Sequence, residues 1–332
     1  MDAPKDPLEG RQVAGYRLER VVGAGDWSVV YRAADLRMGR TVALKLIAPG
    51  HALDDALRRR LTNELQVAAA IEHPHILPVF EVNEAEGVLY IAMQYIPGPD
   101  LRTLLDEEGP LPVPTALRIA AQVASALDAA HWHGLVHRDV KPSNILIAPG
   151  NADEPEHVYL TGFGLTHTSL TQNGFTVAEQ FTGTLDYVAP ELVSGRPVDG
   201  RSDLYSLACV VYESLVGRPP FERAGDLRAL LWAHQYDPPP PLSKTRPGIE
   251  DGADVVMAKA LAKTPDERYD SCRRFVDALR SAMRPSDPDR PPPTPAPSWL
   301  QDQPPPAHGY PSGPPDASTP PGPPFGDDDD EW

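Results

Sequence analysis

The sequence contains the stretch His137-Arg-Asp-Val-Lys-Pro-Ser-Asn144, the most specific pattern in its 332 residues. The stretch places a carboxylate at Asp139, a cation at Lys141 and an amide at Asn144 within one short loop. A positioned carboxylate can accept the proton of a hydroxyl group, a cation can neutralise phosphate charge, and an amide oxygen can ligate a metal ion. These three groups predict a loop that carries out chemistry on a phosphate and a hydroxyl.

Two upstream segments add groups that suit a phosphate. Gly23-Ala-Gly25 lies where two predicted strands meet, and glycine lets backbone N–H groups approach phosphate oxygens. An ordinary β-hairpin would explain this segment if it stood alone. Lys45 alternates with apolar residues on the next predicted strand, and Glu64 lies in the middle of the helix predicted after it. Because an unpaired charge in apolar surroundings is costly, Lys45 needs an anionic partner.

Hydrophobic spacing divides the chain into two lobes and a tail. Residues 13–96 predict five strands and one helix, after a polar leader over 1–12. Residues 97–283 predict a helical lobe, with helices at 101–105, 114–133, 202–216, 227–234, 253–262 and 271–283. Residues 284–332 hold 17 of the 40 prolines, and proline sustains neither a helix nor a central strand. We therefore expect a disordered, Pro-rich, acidic tail.

Charge and cysteine content exclude several classes of protein. The formal net charge of −17 repels nucleic-acid phosphates and anionic lipid surfaces at long range. Two cysteines, Cys209 and Cys272, are too few for a disulfide scaffold. The N-terminus has no signal pattern, and no apolar run reaches the roughly 18 residues that cross a membrane. We therefore expect a cytoplasmic protein with no membrane span and no nucleic-acid partner.

Taken in chain order, these features resemble those of the bacterial, eukaryotic-like serine/threonine protein kinases. Ala189-Pro-Glu191 and Ser202-Asp203 add to the resemblance, which extends from about Tyr16 to Met283. It implies an α+β, bilobal protein-kinase fold, with a strand-rich N-lobe over 13–96 and a helical C-lobe over 97–283. It also implies a transferase that acts in signal transduction by phosphorylating proteins.

The resemblance implies ATP and Mg²⁺, or Mn²⁺, as cofactors and proteins as substrates. Asp139 is expected to orient the substrate hydroxyl, Lys141 to offset the γ-phosphate charge, and Asn144 to ligate the metal ion. Lys45 is expected to hold the α- and β-phosphates and to form an ion pair with Glu64.

Other positions of the resemblance serve nucleotide binding and architecture. The nucleotide-binding set comprises the glycine-rich turn, the apolar walls of the adenine pocket and the hinge between the lobes: Gly23, Gly25, Val30, Ala43, Leu146, Met93, Gln94 and Ile96. Glu191 and Arg268 resemble the family's structural ion pair in the helical lobe. Asp203 resembles the residue that anchors the catalytic loop.

The segment between Gly164 and Ala189 is rich in hydroxyl groups and corresponds to the family's activation segment. Thr168, Thr171 and Thr176 are its candidate phosphorylation sites, because an added phosphate could pair with the guanidinium of Arg138 and order the segment. An unmodified polar loop is the alternative.

One position departs from the family pattern. The family has Asp-Phe-Gly where this chain has Gly162-Phe163-Gly164, so the usual Mg²⁺-ligating carboxylate is missing. Losing an electrostatic group of this kind costs on the order of 10² to 10³ in turnover. We therefore predict a serine/threonine protein kinase of reduced activity. The alternative is an inactive pseudokinase that works as a nucleotide-binding or scaffolding module in signalling.

Two other features allow more than one interpretation. Histidines cluster in the sequence at His73, His75, His131, His133 and His137, but we expect no carboxylate or cysteine to complete a metal site with them, so core or packing roles are favoured. In the tail, proline runs could be bound by an aromatic groove on another protein. A solvated, unbound end is the simpler interpretation of the tail.

Overall fold

The computed structural model describes residues 6–25, 28–47, 55–85, 87–150, 155–163, 185–222 and 226–284. Three predicted regulatory sites, Thr168, Thr171 and Thr176, lie outside the described residues, as does the predicted tail beyond Arg284.

The N-terminal lobe is an antiparallel sheet. Its strands are β1 (Gln12–Val13), β2 (Tyr16–Gly25), β3 (Ser28–Asp35), β4 (Arg40–Ile47), β5 (Val79–Ala85) and β6 (Val88–Gln94), and helix α1 (Asp55–Ala69) lies between β4 and β5 in sequence. The spatial order is β1-β2-β3-β4-β6-β5. Strand β1 was not predicted, because two residues leave no periodic pattern. Strand β5 begins at Val79, and just before it the Leu77 N–H donates to the Leu160 carbonyl instead of to a sheet neighbour.

The register of β4 sets the face on which Lys45 lies. Val42, Leu44 and Leu46 pack in one buried cluster with aromatic residues of the sheet. Ala43 belongs to a second cluster. Because successive residues of a strand point to opposite faces, Lys45 shares the face of Ala43. The lysine predicted to bind phosphate is therefore directed away from the main core of the sheet.

The C-terminal lobe is mainly helical. Its helices are α2 (Leu101–Glu108), α3 (Val113–Trp132), α4 (Pro190–Val193), α5 (Gly200–Val216), α6 (Leu227–Tyr236), α7 (Leu242–Thr245), α8 (Asp251–Ala260) and α9 (Cys272–Ala282). Helices α4 and α7 were not predicted, because a single turn leaves no helical period. Helix α5 is buried along almost its whole length and lies in the large core of this lobe.

A short hairpin connects the catalytic loop to the segment that carries Gly162. It consists of β7 (Ile145–Ala148) and β8 (His157–Leu160), paired antiparallel with Ile145 opposite Leu160. The hairpin was missed in the sequence, because its four-residue strands lie inside a lobe dominated by helices. It fixes the start of Thr161-Gly162-Phe163 close to the end of the catalytic loop.

The strand-rich lobe followed by a helical lobe is the α+β architecture expected from the sequence. Among the residues that the structure describes, no helix is long and apolar enough to cross a membrane.

The hinge between the lobes depends on a glycine. A Cβ atom placed on Gly98 would lie 2.1 Å from the carbonyl oxygen of Ile147, which is backbone and cannot rotate away. We expect Gly98→Ala to lower the free energy of unfolding by about 1–3 kcal/mol, because the hinge and β7 must separate. Urea titration measures the loss. The control is Gly252→Ala, where the added Cβ meets the Ala282 Cβ at an ordinary 3.7 Å. Equal stability of the two variants would contradict the steric argument.

Candidate active site

The structure brings the three groups of the predicted catalytic loop together. Lys141 Nζ lies 2.9 Å from Asp139 Oδ2. Asn144 Nδ2 donates to the same Oδ2 at 3.0 Å and to the Asp139 carbonyl at 2.7 Å. A single 3₁₀ turn over Pro142–Asn144 folds the amide back onto the carboxylate. The Asp139 side chain keeps 36% of its surface exposed, so a substrate hydroxyl can reach it.

Asp203 of α5 anchors this loop through hydrogen bonds to its backbone. Its Oδ1 accepts from the Arg138 N–H at 2.7 Å, and its Oδ2 accepts from the His137 N–H at 2.8 Å. Arg138 has a positive φ of 65°, which is uncommon for a residue with a side chain. The two hydrogen bonds to a buried carboxylate hold the loop in this conformation. The geometry matches the anchoring role that the resemblance implies for Asp203.

His137 links the loop to the segment before Gly162. Its Nδ1 accepts from the Asp139 N–H at 3.2 Å, and its Nε2–H donates to the Thr161 carbonyl at 2.9 Å. The side chain is fully buried, and its ring lies 4.5 Å from that of Phe163. The histidine therefore has a packing role and is not arranged as a metal ligand.

Lys45 lies near the catalytic loop and is electrostatically coupled to it. Burial lowers the pKa of Lys45 to about 8, although the charge of Asp139 acts to raise it, and the charge of Lys141 lowers it further. Lys45 therefore keeps its proton near neutral pH and loses it in mildly alkaline solution. Phosphate groups in this space would stabilise the charged form.

The predicted ion pair between Lys45 and Glu64 requires a correction. Among the described residues, no ion pair joins these two side chains, and Glu64 Oε1 instead lies 3.7 Å from Arg138 Nη1. Helix α1 therefore brings its glutamate within reach of the catalytic loop. The same guanidinium was expected to meet a phosphate of the activation segment. Its Nε is buried and has no hydrogen-bond partner among the described residues.

The residues predicted to line an adenine pocket pack together in a small apolar cluster. Ala43, Met93 and Ile96 are buried in it, with Val30 and Leu146 packed against them. Gln94 ends β6 beside this cluster, and Gly23 and Gly25 lie within β2, opposite Val30 and Ser28 of β3. Apolar side chains of this kind are typical of the walls of ligand pockets, which combine apolar surfaces with a few polar groups.

Gly162 stands where the family has its metal-binding aspartate. Its φ is +97°, and a Cβ atom there would meet the side-chain atoms of Asn144 at 3.1 to 3.2 Å. A cavity of about 40 Å³ lies behind it, between Lys45, Met93 and Phe163. The Asn144 amide oxygen is a hard oxygen donor that suits Mg²⁺. The donor set therefore fits a divalent ion, with one carboxylate fewer than the family uses.

Glu191 and Arg268 form the expected ion pair of the helical lobe. Arg268 Nη1 and Nη2 donate to Glu191 Oε1 and Oε2 at 2.7 and 2.8 Å, and both side chains are almost completely buried. Ser202 Oγ also donates to Glu191 Oε1 at 2.6 Å. Burial alone would raise the pKa of Glu191, but the hydrogen bonds and charge of Arg268 hold it below its usual value.

Two neighbours of His131 in the structure were not predicted from the sequence. Asp128 and Cys272 supply a carboxylate and a thiol near this histidine, and these residues form the one metal-like group in the described part of the chain. Their hydrogen bonds point to a structural role. Asp128 accepts from the Cys272 N–H at 2.9 Å, where α9 begins, and His131 Nε2–H donates to Asp203 at 2.7 Å. Burial raises the pKa of the Cys272 thiol, which disfavours the thiolate that a metal needs.

A second group that was not predicted from the sequence contacts Tyr187. Glu213 of α5 is buried, and its two carboxylate oxygens accept from Arg102 Nη1 and from the Tyr187 hydroxyl, each at 2.5 Å. The signal available in the sequence was a glutamate on an otherwise apolar helix. Such a residue needs a cationic or hydroxyl partner when it is buried.

Comparison with known proteins agrees with this geometry. The family model of the protein kinase domain matches residues 16–278. The chain is 41% identical over 294 residues to the serine/threonine-protein kinase PknE of Mycobacterium tuberculosis, covering 87% of this chain and 50% of PknE. It is 40% identical over 286 residues to PknD of the same organism, covering 85% of this chain and 41% of PknD. The chain thus spans about half the length of the first of these relatives and less of the second.

The crystal structure of the Mycobacterium tuberculosis PknI kinase domain is similar in fold. The match has a TM-score of 0.64 at 34% sequence identity, covering 85% of this chain and all of that domain. The bilobal kinase fold expected from the sequence is thereby confirmed. With the kinase-domain match extending over most of the described residues, the chain belongs to the bacterial, eukaryotic-like serine/threonine protein kinase family.

Proposed function

We propose that this chain transfers the γ-phosphate of ATP to serine or threonine hydroxyls of proteins, at a turnover reduced by the missing carboxylate at Gly162. The observation that carries the proposal is the assembled cluster of Asp139, Lys141 and Asn144. Kinases of this family use ATP and a divalent metal, and their catalysis rests on positioning and electrostatic stabilisation. The cluster supplies both.

Each group of the cluster has a role that its position supports. Asp139 is the hydrogen-bond acceptor that orients the substrate hydroxyl and takes up its proton. Lys141 lies beside that carboxylate and offsets phosphate charge as it develops. Lys45, whose pKa of about 8 keeps it charged near neutral pH, binds the phosphates from the opposite lobe. Bound ATP supplies the phosphoryl group.

The metal ion would be Mg²⁺ or Mn²⁺ and would be held by Asn144. The amide nitrogen of Asn144 is committed to Asp139, which leaves its oxygen as the donor to the ion. Gly162 contributes no ligand. Removing one group of this kind costs on the order of 10² to 10³ in turnover, which leaves slow but measurable phosphorylation.

The second candidate is a pseudokinase that binds nucleotide or partner proteins without catalysis. Two observations favour it. Gly162 removes a metal ligand, and Glu64 Oε1 lies 3.7 Å from Nη1 of Arg138, beside the catalytic aspartate. Proline runs near Pro291 and Pro304 would then serve as contacts for another protein.

Autophosphorylation separates the two candidates. The native chain is incubated with ATP and Mg²⁺ or Mn²⁺, and intact mass is compared with that of Asp139→Ala. We expect slow phosphate incorporation by the native chain and none by the variant, because the variant loses the acceptor for the hydroxyl proton. Asp139→Asn is a closer control, since the amide keeps the hydrogen-bonded shape without the charge. If all three proteins remain unmodified, the pseudokinase is the better description.

A further inference from the structure

Three histidines form a cluster outside the catalytic loop. His73 and His75 lie in the segment between α1 and β5, and His157 begins β8. The ring centroids of His73 and His75 are 5.6 Å apart, and those of His75 and His157 are 4.7 Å apart. None of these side chains takes part in the proposed phosphate transfer.

The hydrogen bonds of His73 require its neutral form. Its Nδ1 accepts from the backbone N–H of His75 at 3.1 Å, and a backbone N–H can only donate. The lone pair of Nδ1 is therefore in use, and the proton lies on Nε2, which donates to Ser125 Oγ of α3 at 3.1 Å. A second proton on the ring would have to sit on Nδ1, directly opposite the N–H of His75. Protonation thus breaks the turn that His73 closes.

The side chains of the other two histidines form hydrogen bonds with backbone carbonyl groups of neighbouring segments. His75 Nδ1–H donates to the Val158 carbonyl at 3.1 Å, and His157 Nε2–H donates to the Pro74 carbonyl at 2.8 Å. Each bond joins the His73–His75 segment to β8. Because the rings of His75 and His157 are in contact, positive charges on both would repel each other.

The segment held by these histidines leads directly into the active site. The Leu160 N–H donates to the His75 carbonyl at 2.8 Å, and the Leu77 N–H donates to the Leu160 carbonyl at 2.9 Å. Leu160 is the last residue of β8, and Gly162 follows two positions later. The anchoring of β8 to the 73–77 segment therefore fixes where Gly162 lies.

Few charged groups surround the cluster. Glu156 precedes His157, but its carboxylate is paired with Arg118 of α3 at 3.1 Å. Glu72 precedes His73 and is exposed to solvent, where its charge is screened. The ring of Tyr159 lies 4.7 Å from that of His157. The surroundings thus offer little to stabilise a protonated imidazole.

We propose that the His73–His75–His157 cluster is a pH-sensitive anchor, in which protonation releases the 73–77 segment from β8 and loosens the strand that positions Gly162.

The direction of the titration agrees with this geometry. Burial, followed by the charge of His75, lowers the pKa of His73. Burial also lowers the pKa of His75, where the hydrogen bond to the Val158 carbonyl acts against the shift and the charge of His157 adds to it. A histidine whose pKa is lower in the closed state binds its proton preferentially in the open state. The anchor is therefore intact above the ordinary histidine pKa of about 6.5 and weakens as the pH falls below it.

Amide hydrogen exchange tests the proposal without any need for activity. Protection factors of the Leu77 and Leu160 amides are measured in the full chain at about pH 7.5 and about pH 5, after correction for the intrinsic pH dependence of exchange. We expect protection at both amides to fall several-fold in acid. In His73→Asn the fall should be largely abolished, because asparagine can accept the same N–H from two residues along and does not titrate.

His133→Asn is the matched control, since His133 is an exposed histidine at the end of α3. It should behave as the native chain does. Unchanged protection in acid, or the same fall in His73→Asn as in the native chain, would overturn the proposal. Should His73→Asn fail to fold, an NMR titration of the native imidazoles decides. A His73 that takes up its proton at or above the ordinary value contradicts the anchor. The exchange and NMR experiments are carried out without nucleotide, so their results do not depend on whether the chain is an active kinase.

Discussion

Gly162→Asp is expected to raise the initial rate of autophosphorylation by on the order of 10² to 10³. The added carboxylate would stand next to Asn144, whose side chain lies 3.1 Å from the position of a Cβ on residue 162. Two oxygen ligands from the protein would then face a divalent ion, which prefers carboxylate and phosphate oxygens. The rate is measured by intact mass over time at saturating Mg²⁺ and ATP.

The backbone at Gly162 limits the gain. Its φ of +97° is a conformation that residues with a side chain rarely adopt, although aspartate and asparagine tolerate positive φ better than most. A contact at 3.1 Å also requires Asn144 to shift by a few tenths of an ångström. We therefore expect a modest loss of stability alongside the gain in rate.

Two variants isolate the carboxylate from the strain. Gly162→Asn has the same shape and backbone cost as aspartate but is a much weaker metal ligand, and Gly162→Ala has only the Cβ. Both should remain at or below the native rate. If Gly162→Asn accelerates the reaction as much as Gly162→Asp, the gain does not come from a carboxylate ligand. The prediction is also contradicted if none of the three variants changes the rate. In the latter case the missing metal ligand does not limit turnover.

The catalytic loop was predicted closely, because its chemistry is encoded locally. Asp139, Lys141 and Asn144 lie within six residues, so one turn over Pro142–Asn144 is enough to bring them together. Strand β4 was predicted for a similar reason, since its alternation of apolar residues shows which face Lys45 occupies.

The partner of Glu64 was predicted wrongly, because it depends on how α1 sits against the rest of the chain. A helical pattern shows that Glu64 lies on a helix, but it does not show which segment of the chain the Glu64 side chain contacts. Arg138, its partner in the structure, is far from it in sequence. The same holds for the contact of Asp128 with Cys272, which joins α3 to the start of α9. Long-range packing of this kind leaves no mark in local periodicity.

The Glu191–Arg268 pair falls between these cases. Both residues were identified from motifs that resemble the family, yet they lie far apart in sequence, so no spacing argument could have joined them. The structure adds the remaining partners. Arg268 also donates through Nε to the Ala262 carbonyl and through Nη1 to the Arg201 carbonyl, each at 2.8 Å. The guanidinium therefore ties three segments of the helical lobe together.

Arg268→Ala is expected to lower the free energy of unfolding by about 3–5 kcal/mol, because it leaves the Glu191 carboxylate buried without its cation. Chemical denaturation at neutral pH measures the loss. Arg274→Ala is the control, since the Arg274–Asp270 pair is exposed on both sides and should change stability by less than about 1 kcal/mol. If the two variants lose the same amount, burial of the pair does not determine its contribution.

The pH dependence of stability provides a second test of the same ion pair. The pKa of Glu191 is lowered in the folded state, so the unfolded chain binds its proton more readily, and the pair stabilises the fold above the ordinary glutamate pKa of about 4.3. That contribution is lost as the pH falls through the folded-state value. Without Arg268, burial is opposed only by the remaining hydrogen bonds, including that from Ser202, so we expect the pKa of Glu191 to rise above its ordinary value and acid to relieve part of the damage. The stability deficit of Arg268→Ala should therefore begin to shrink above about pH 4.3 and continue to shrink as the pH falls, whereas a deficit that stays constant with pH would mean that lost packing, not the unpaired carboxylate, causes it.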